Sequence, residues 1–167
     1  MPANTAAAAV VALIALGVSG YAPYSGTPIA VSPERFCLAL AIYFEARGEP
    51  RLGQWTVGRV ILNRTRLNNY PQTICGVVNQ NAGLIHRCQF SFACDGKPNW
   101  ISDDRRWREI LADASELMNC GGDCDGSAFP SGMLALSTHY HARSVSPRWS
   151  KTLHRTGQIG NHVFYQR

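Results

Sequence analysis

The sequence predicts an α+β fold, with helices through most of the chain and a small antiparallel sheet at its end. Three observations carry that reading. Helical apolar periodicity, framed by cap and stop residues, recurs between Ser32 and Gly121. Beyond a glycine-rich turn, the segment LALSTHYH from Leu134 alternates as a strand does. HVFYQ, from His162, has the composition of a partner strand. Helices first and strands later is the order of an α+β domain.

Residues 1–22 read as an export segment. AAAAVVALIALGVSGYA, starting at Ala6, is uncharged and shorter than the about 20 strongly apolar residues of an ordinary membrane span. Gly20 and Ala22 are small, as a cleavage site requires, and no Lys or Arg precedes the run. A cleaved signal peptide and an uncleaved signal anchor both fit. A buried core helix is a third reading, against which stand the missing caps and polar face. Residues 23–32, rich in Pro, Gly and Ser, read as a linker. That leaves 33–167 as one folded domain.

The first helix starts with Ser32 as N-cap and Pro33 at the first helical position. It runs through FCLALAIYFEAR, with Leu38, Ala41, Ile42 and Glu45 on one face, and stops at Gly48 and Pro50. A second helix spans Leu52 to Leu67, with Val57, Val60, Ile61 and Arg64 near one face, and ends at Asn68-Asn69-Tyr70-Pro71. ICGVVNQ from Ile74 is apolar and fits either element type, and Gln80 to Trp100 reads as loop. The third helix is the clearest. Asp103 or Asp104 caps it, and Trp107, Ile110, Leu111, Ala114, Leu117 and Met118 form a regular stripe closed by Gly121.

Apolar residues make up 46% of the chain, enough for a core and too many for disorder. The net charge of +5 and a pI near 9.1 favour anionic partners: nucleic acid, anionic lipid or an acidic bacterial wall. The absence of a dense Lys/Arg run or a basic helix counts against nucleic acid. Six cysteines suggest disulfides in an exported chain, with about fifteen possible pairings. Short loops favour Cys88 with Cys94 and Cys120 with Cys124, leaving Cys37 with Cys75. A zinc site is the rival, and the spacings lack its usual CxxC pair.

A carboxylic acid whose pKa is raised by its surroundings is a candidate general acid. The chain has eleven acidic residues, few enough to take one by one. Glu109, Asp113 and Glu116 lie away from the third helix's stripe and read as solvated charges. Asp103 and Asp104 have capping work. Glu34 sits in a first turn, where the dipole lowers its pKa. Asp123 and Asp125 read as turn formers, with a weak cation site as the alternative. Glu45, Glu49 and Asp95 remain. Glu45 continues an apolar stripe in the last turns of its helix, where desolvation and the negative dipole end both raise a carboxyl pKa. The alternative is a structural carboxylate paired with Arg47 or Arg64. Glu49 is either a second member of the site or a surface partner for Arg51.

The string AIYFEARGEPRLGQWTVGRVILNR, from Ala41 to Arg64, resembles the spore-cortex-lytic, SleB-type cell-wall hydrolase family. YPQTICGVV from Tyr70, CQFSFACDG from Cys88, THYHA from Thr138 and IGNHVFY from Ile159 agree in the same order. The resemblance runs from about Cys37 to the end; the extra cysteines around CQFSFACDG and CGGDC depart from the pattern. It implies a lysozyme-like, lytic transglycosylase-like helical domain acting on peptidoglycan, with Glu45 as catalytic acid/base. It also implies cleavage between N-acetylmuramic acid and N-acetylglucosamine, with closure of a 1,6-anhydro ring that needs no second carboxylate.

Further residues follow from the same resemblance. Gln89, Phe90 and Ser91 correspond to a loop lining the sugar groove, with Phe90 stacking on a pyranose face; alternatively Phe90 is core and Gln89 caps a turn. Tyr140 and His162 are expected near Glu45, with the Tyr140 hydroxyl holding the protonated carboxyl. Three alternatives stay open. One is a muramidase-type hydrolase with Glu49 or Asp95 as partner, and another is a non-catalytic wall-binding module. The third is a zinc amidase using His139, His141, His154 and His162, which lacks an HExxH arrangement. No metal or cofactor, no nucleic acid, and a monomer attached to the membrane only through its N-terminus are expected. The product would be exported to the periplasm, envelope or medium, for wall remodelling or for phage lysis as an endolysin.

Overall fold

The computed structural model describes residues 31–84, 88–120 and 129–167. The expected export segment and nearly all of the linker lie outside the described residues, as do Asp123, Cys124 and Asp125. Among the described residues, no helix is long and apolar enough to cross a membrane.

Helix α1 (Pro33–Ala46) begins at Ser32, whose side chain accepts from the Arg35 amide as an N-cap should. Helix α2 (Arg51–Arg64) follows a turn through Gly48 and Pro50. ICGVV is a short helix, α3 (Ile74–Val78), capped by Thr73. Glu34 Oε2 also accepts from the Ile74 amide at 2.6 Å, satisfying an orphan donor at that helix's start. Helix α4 (Asp104–Asn119) is capped by Asp103, which accepts from the Arg106 amide.

The helices enclose the main core. Leu38, Ile42 and Tyr43 of α1 meet Trp55 and Ile61 of α2 and Ile110, Ala114 and Leu117 of α4, all fully buried. Gly58 permits the close approach of α2. A Cβ there would lie 2.7 Å from Leu117 Cδ1 and 3.0 Å from Ile42 Cδ1. The Tyr43 hydroxyl accepts from the amides of Ser102 and Asp103, which fixes the start of α4 against α1. Asp113, expected to be a solvated charge, is instead buried on α4. It takes two hydrogen bonds from the Arg51 guanidinium, at 2.6 and 3.1 Å. Pairing with a cation makes that burial tolerable. Glu109 and Glu116 are exposed, as expected.

The sheet has the order β1-β3-β2, with β1 (His139–Ala142), β2 (His154–Ile159) and β3 (His162–Gln166) all antiparallel. HVFYQ is the partner of β1, as expected. The strand is shorter than LALSTHYH, however. Gly132–Leu136 form a 3-10 turn, because Asn63 Nδ2 holds the carbonyls of Ala135 and Ser137 at 2.8 Å where a ladder would otherwise run. Strand β2 was not anticipated. It joins β3 through the two-residue turn Gly160-Asn161, with Gly160 at φ +53°. Phe164 packs from the sheet onto Val57 and Val60 of α2, forming a second, smaller core.

Cys37 is bonded to Cys75, tying α1 to α3, and Cys88 to Cys94, closing a loop; both pairings match expectation. Cys120 is disulfide-bonded, and its expected pairing with Cys124 lies outside the described residues.

Candidate active site

Glu45 sits in the last turn of α1, one residue before its end. The stripe that buries Leu38, Ala41 and Ile42 carries it to the edge of the core, where it is partly buried. Its Oε2 accepts a hydrogen bond from the Tyr140 hydroxyl at 3.0 Å, across from β1. Loss of water pushes the Glu45 carboxyl above its ordinary range, and the Tyr140 bond opposes that shift without cancelling it. The expectation that Tyr140 holds the protonated form is therefore corrected. A donating phenol stabilises the anion, and it is burial that favours the proton. The Tyr140 hydroxyl is itself pushed well above its ordinary value, by burial and by Glu45, so it stays a donor.

Neither arginine suspected as a structural partner reaches Glu45. The Arg47 guanidinium lies over the Tyr43 ring, 4.9 Å from its centroid. Arg64 is buried; its Nε donates to the Thr138 carbonyl at 2.7 Å and its guanidinium faces the Tyr70 ring. It nevertheless bears on the site, since its positive charge acts on Tyr140 against the upward push of burial. Its place at the end of α2's apolar stripe was the sequence signal for a buried cation.

The sheet's inner face supplies the other neighbours. His162 is buried with its ring edge-on to Tyr140, centroids 5.1 Å apart. Burial lowers its pKa, which the charge of Glu49 partly restores. Its Nδ1 is buried without a hydrogen-bond partner. Glu49 does not pair with Arg51, which is taken by Asp113 and Glu116. Instead, Glu49 Oε2 accepts from the Asn161 amide at 2.9 Å, at the tip of the β2–β3 hairpin. Asp95 is exposed and accepts from the Lys97 amide.

Gln89 and Ser91 are exposed. Phe90, expected to stack on a sugar, is only 1% exposed and belongs to the core, so its ring is not free for a ligand. The loop is further held by Phe92, which was not singled out from sequence. Its ring stacks on Phe44, the residue before Glu45, at 5.0 Å. Two inward aromatics thus hold the exposed Gln89 and Ser91 against the helix that carries Glu45.

His139 and His141 share one face of β1, as strand alternation requires, while His162 lies on the opposite face of the sheet. His141 Nε2 bonds the Tyr165 hydroxyl and His139 Nε2 the Tyr70 hydroxyl. Among the described residues, no group of three or more His, Cys, Asp or Glu side chains is arranged to hold a metal ion.

The chain is similar to known proteins over most of its length. The family model described as Cell Wall Hydrolase matches residues 48–165. The spore cortex-lytic enzyme of Oceanobacillus iheyensis is 30% identical over 145 residues, covering 83% of this chain. That of Bacillus cereus is 28% identical over 127 residues, covering 76%. The chain spans less than half of these relatives, 46% and 42% of their own lengths. Among solved structures, the catalytic domain of the germination-specific lytic transglycosylase SleB from Bacillus anthracis superposes with a TM-score of 0.55. It is 26% identical, over 84% of this chain and 100% of that one. The SleB catalytic domain from Bacillus cereus gives 0.54 and 25%, over 87% of this chain and 100% of that one.

Proposed function

The chain belongs to the Cell Wall Hydrolase family, and from that premise we propose that it cleaves the glycan strands of peptidoglycan as a lytic transglycosylase, with Glu45 as general acid and base. One observation carries the reading: a partly buried carboxyl with a raised pKa, bonded by Tyr140 and, among the described residues, without an ion pair. Such a group gives up its proton less readily than an ordinary carboxyl, which suits a general acid.

The steps use little else. Glu45 protonates the oxygen joining C1 of N-acetylmuramic acid to C4 of N-acetylglucosamine, and the C1–O bond breaks. The Glu45 carboxylate then takes the proton from the muramic C6 hydroxyl as that oxygen bonds to C1, closing the 1,6-anhydro ring and restoring the acid. Tyr140 steadies the carboxylate between the two transfers, because its donation favours the charged form. His162 lines the site beside Tyr140, and Gln89 and Ser91 offer an amide and a hydroxyl to N-acetyl groups. The engagement of Glu49 with the hairpin and of Asp95 with its own loop favours this route over a hydrolase needing a paired carboxylate. In this reading 33–167 is the catalytic domain, exported by 1–22 through the linker 23–32.

Wild-type protein clears a peptidoglycan gel, and Glu45→Gln reduces the rate by about 10²- to 10⁴-fold, the worth of a general acid. Mass spectrometry of the released muropeptides finds products one water lighter than reducing ends. Equal clearing by both proteins removes Glu45 from the mechanism, and reducing-end products turn the enzyme into a hydrolase.

A further inference from the structure

The chain's whole net charge resides in one segment. Residues 129–167 contain no Asp or Glu and carry Arg143, Arg148, Lys151, Arg155 and Arg167, which accounts for all of the +5. All five are exposed, and no ion pair among the described residues involves any of them. In the rest of the chain acidic and basic residues are equal in number, and Arg51 pairs with Asp113 and Arg106 with Glu109.

Most of these cations gather about one face. Strand register puts Tyr140, His162 and Phe164 on the inner side, toward Glu45 and α2, and His139, His141 and Tyr165 on the outer side. Arg155 is paired in register with Tyr165, so it too projects outward. Trp149, in the 3-10 turn Arg148–Lys151, meets the rings of His139, His141 and Tyr165 at centroid distances of 5.4 to 5.6 Å. Arg148 and Lys151 therefore flank this ring cluster. Arg167 is near enough to His139 to lower its pKa. The result is a half-buried aromatic plate rimmed by cations, in a segment without Asp or Glu, on the side of the sheet away from Glu45.

We propose that this outer face is a second wall-binding surface, which holds the carboxylate-bearing peptide stems of peptidoglycan apart from the strand being cut. The inference rests on the peptidoglycan-cleaving reading above. Stem peptides present carboxylates at regular intervals along every strand, and guanidinium forks pair with planar carboxylates in two-bond geometry. Each exposed contact is weak. A sacculus offers many stems at once, so several weak contacts sum to retention on the wall. A membrane fits less well, because the rings at the centre of the face pack on one another and are not free to insert.

The test uses the full chain carrying Glu45→Gln, so that the wall stays intact during binding. Sacculi stripped of phosphate polymers are sedimented with it across a salt series. Binding weakens with salt, and Arg148→Gln/Lys151→Gln/Arg155→Gln lowers it at least tenfold. Sacculi whose carboxyls have been amidated lose binding to the same degree. The same triple variant with Glu45 intact cleaves short stem-free glycan chains at the unaltered rate. Undiminished sedimentation of the triple variant overturns the proposal. So does equal binding to amidated sacculi, or binding that appears only when phosphate polymers or anionic phospholipid vesicles are supplied. Binding is read without turnover, so a failure of Glu45 as the acid is seen separately in the cleavage arm.

Discussion

The Glu45 carboxyl is balanced between two opposing influences, burial raising its pKa and the Tyr140 hydroxyl lowering it. Removing the hydroxyl leaves burial unopposed. Tyr140→Phe is therefore expected to raise the Glu45 pKa further and to move the alkaline limb of the pH–rate profile, where the acid loses its proton, to higher pH. An unmoved limb would show that another group sets it. His139 makes a second prediction. Burial, aided by Arg64 and Arg167, lowers its pKa from the ordinary 6.5 to about 4. The folded state thus keeps the ring neutral while the unfolded chain takes up a proton. Stability is unaffected above the unfolded value and falls as pH drops from about 6.5 toward about 4. His162, shifted the same way, adds to the loss. Melting temperatures at pH 7 and pH 5 should differ less for His139→Gln than for the wild type.

Hairpin geometry sets the position of Glu49. Gly160 holds φ +53°, and a Cβ there would collide with the Glu49 carboxylate that accepts from the Asn161 amide. Gly160→Ala is expected to cost about 1 kcal/mol for the left-handed backbone, and more for the displaced carboxylate. Denaturant unfolding measures the sum; an unchanged midpoint would mean the turn relaxes freely. The helices were legible because their signals are local: Ser32 and Asp103 cap within three residues of themselves. Strand β2 was not legible, since HRTGQI is polar on its outward side and has a bulge after Arg155. The pair Gly160-Asn161 between HRTGQI and HVFYQ was the available hairpin signal.

Across the molecule, two disulfides constrain stretches of chain of very different length. Cys37–Cys75 spans 38 residues and joins two helices, whereas Cys88–Cys94 spans 6 and closes a single loop. Loop-closure entropy assigns about 4 kcal/mol to the first and about 2 kcal/mol to the second. Cys37→Ser/Cys75→Ser should accordingly lower the stability more than Cys88→Ser/Cys94→Ser, and equal losses would point to strain or denatured-state structure instead. The charge pattern belongs to this scale too. A +5 total suggests a uniformly basic protein, but the sheet segment holds all of it.

Sequence by itself determined the three long helices, because caps and periodicity act along the chain; short loops only favoured the bonds Cys37–Cys75 and Cys88–Cys94, burial only favoured Glu45 among the acids, and the family came from resemblance. Tertiary structure decided the partners, among which only Tyr140 and His162 had been expected, from the family resemblance. Tyr140 lies 95 residues from Glu45 and meets it only once β1 docks on the helices. Asp113 turned inward because Arg51 was there to neutralise it, and Phe90 because the core had room for its ring. Contacts between distant residues depend on how whole elements pack, and no local pattern encodes them.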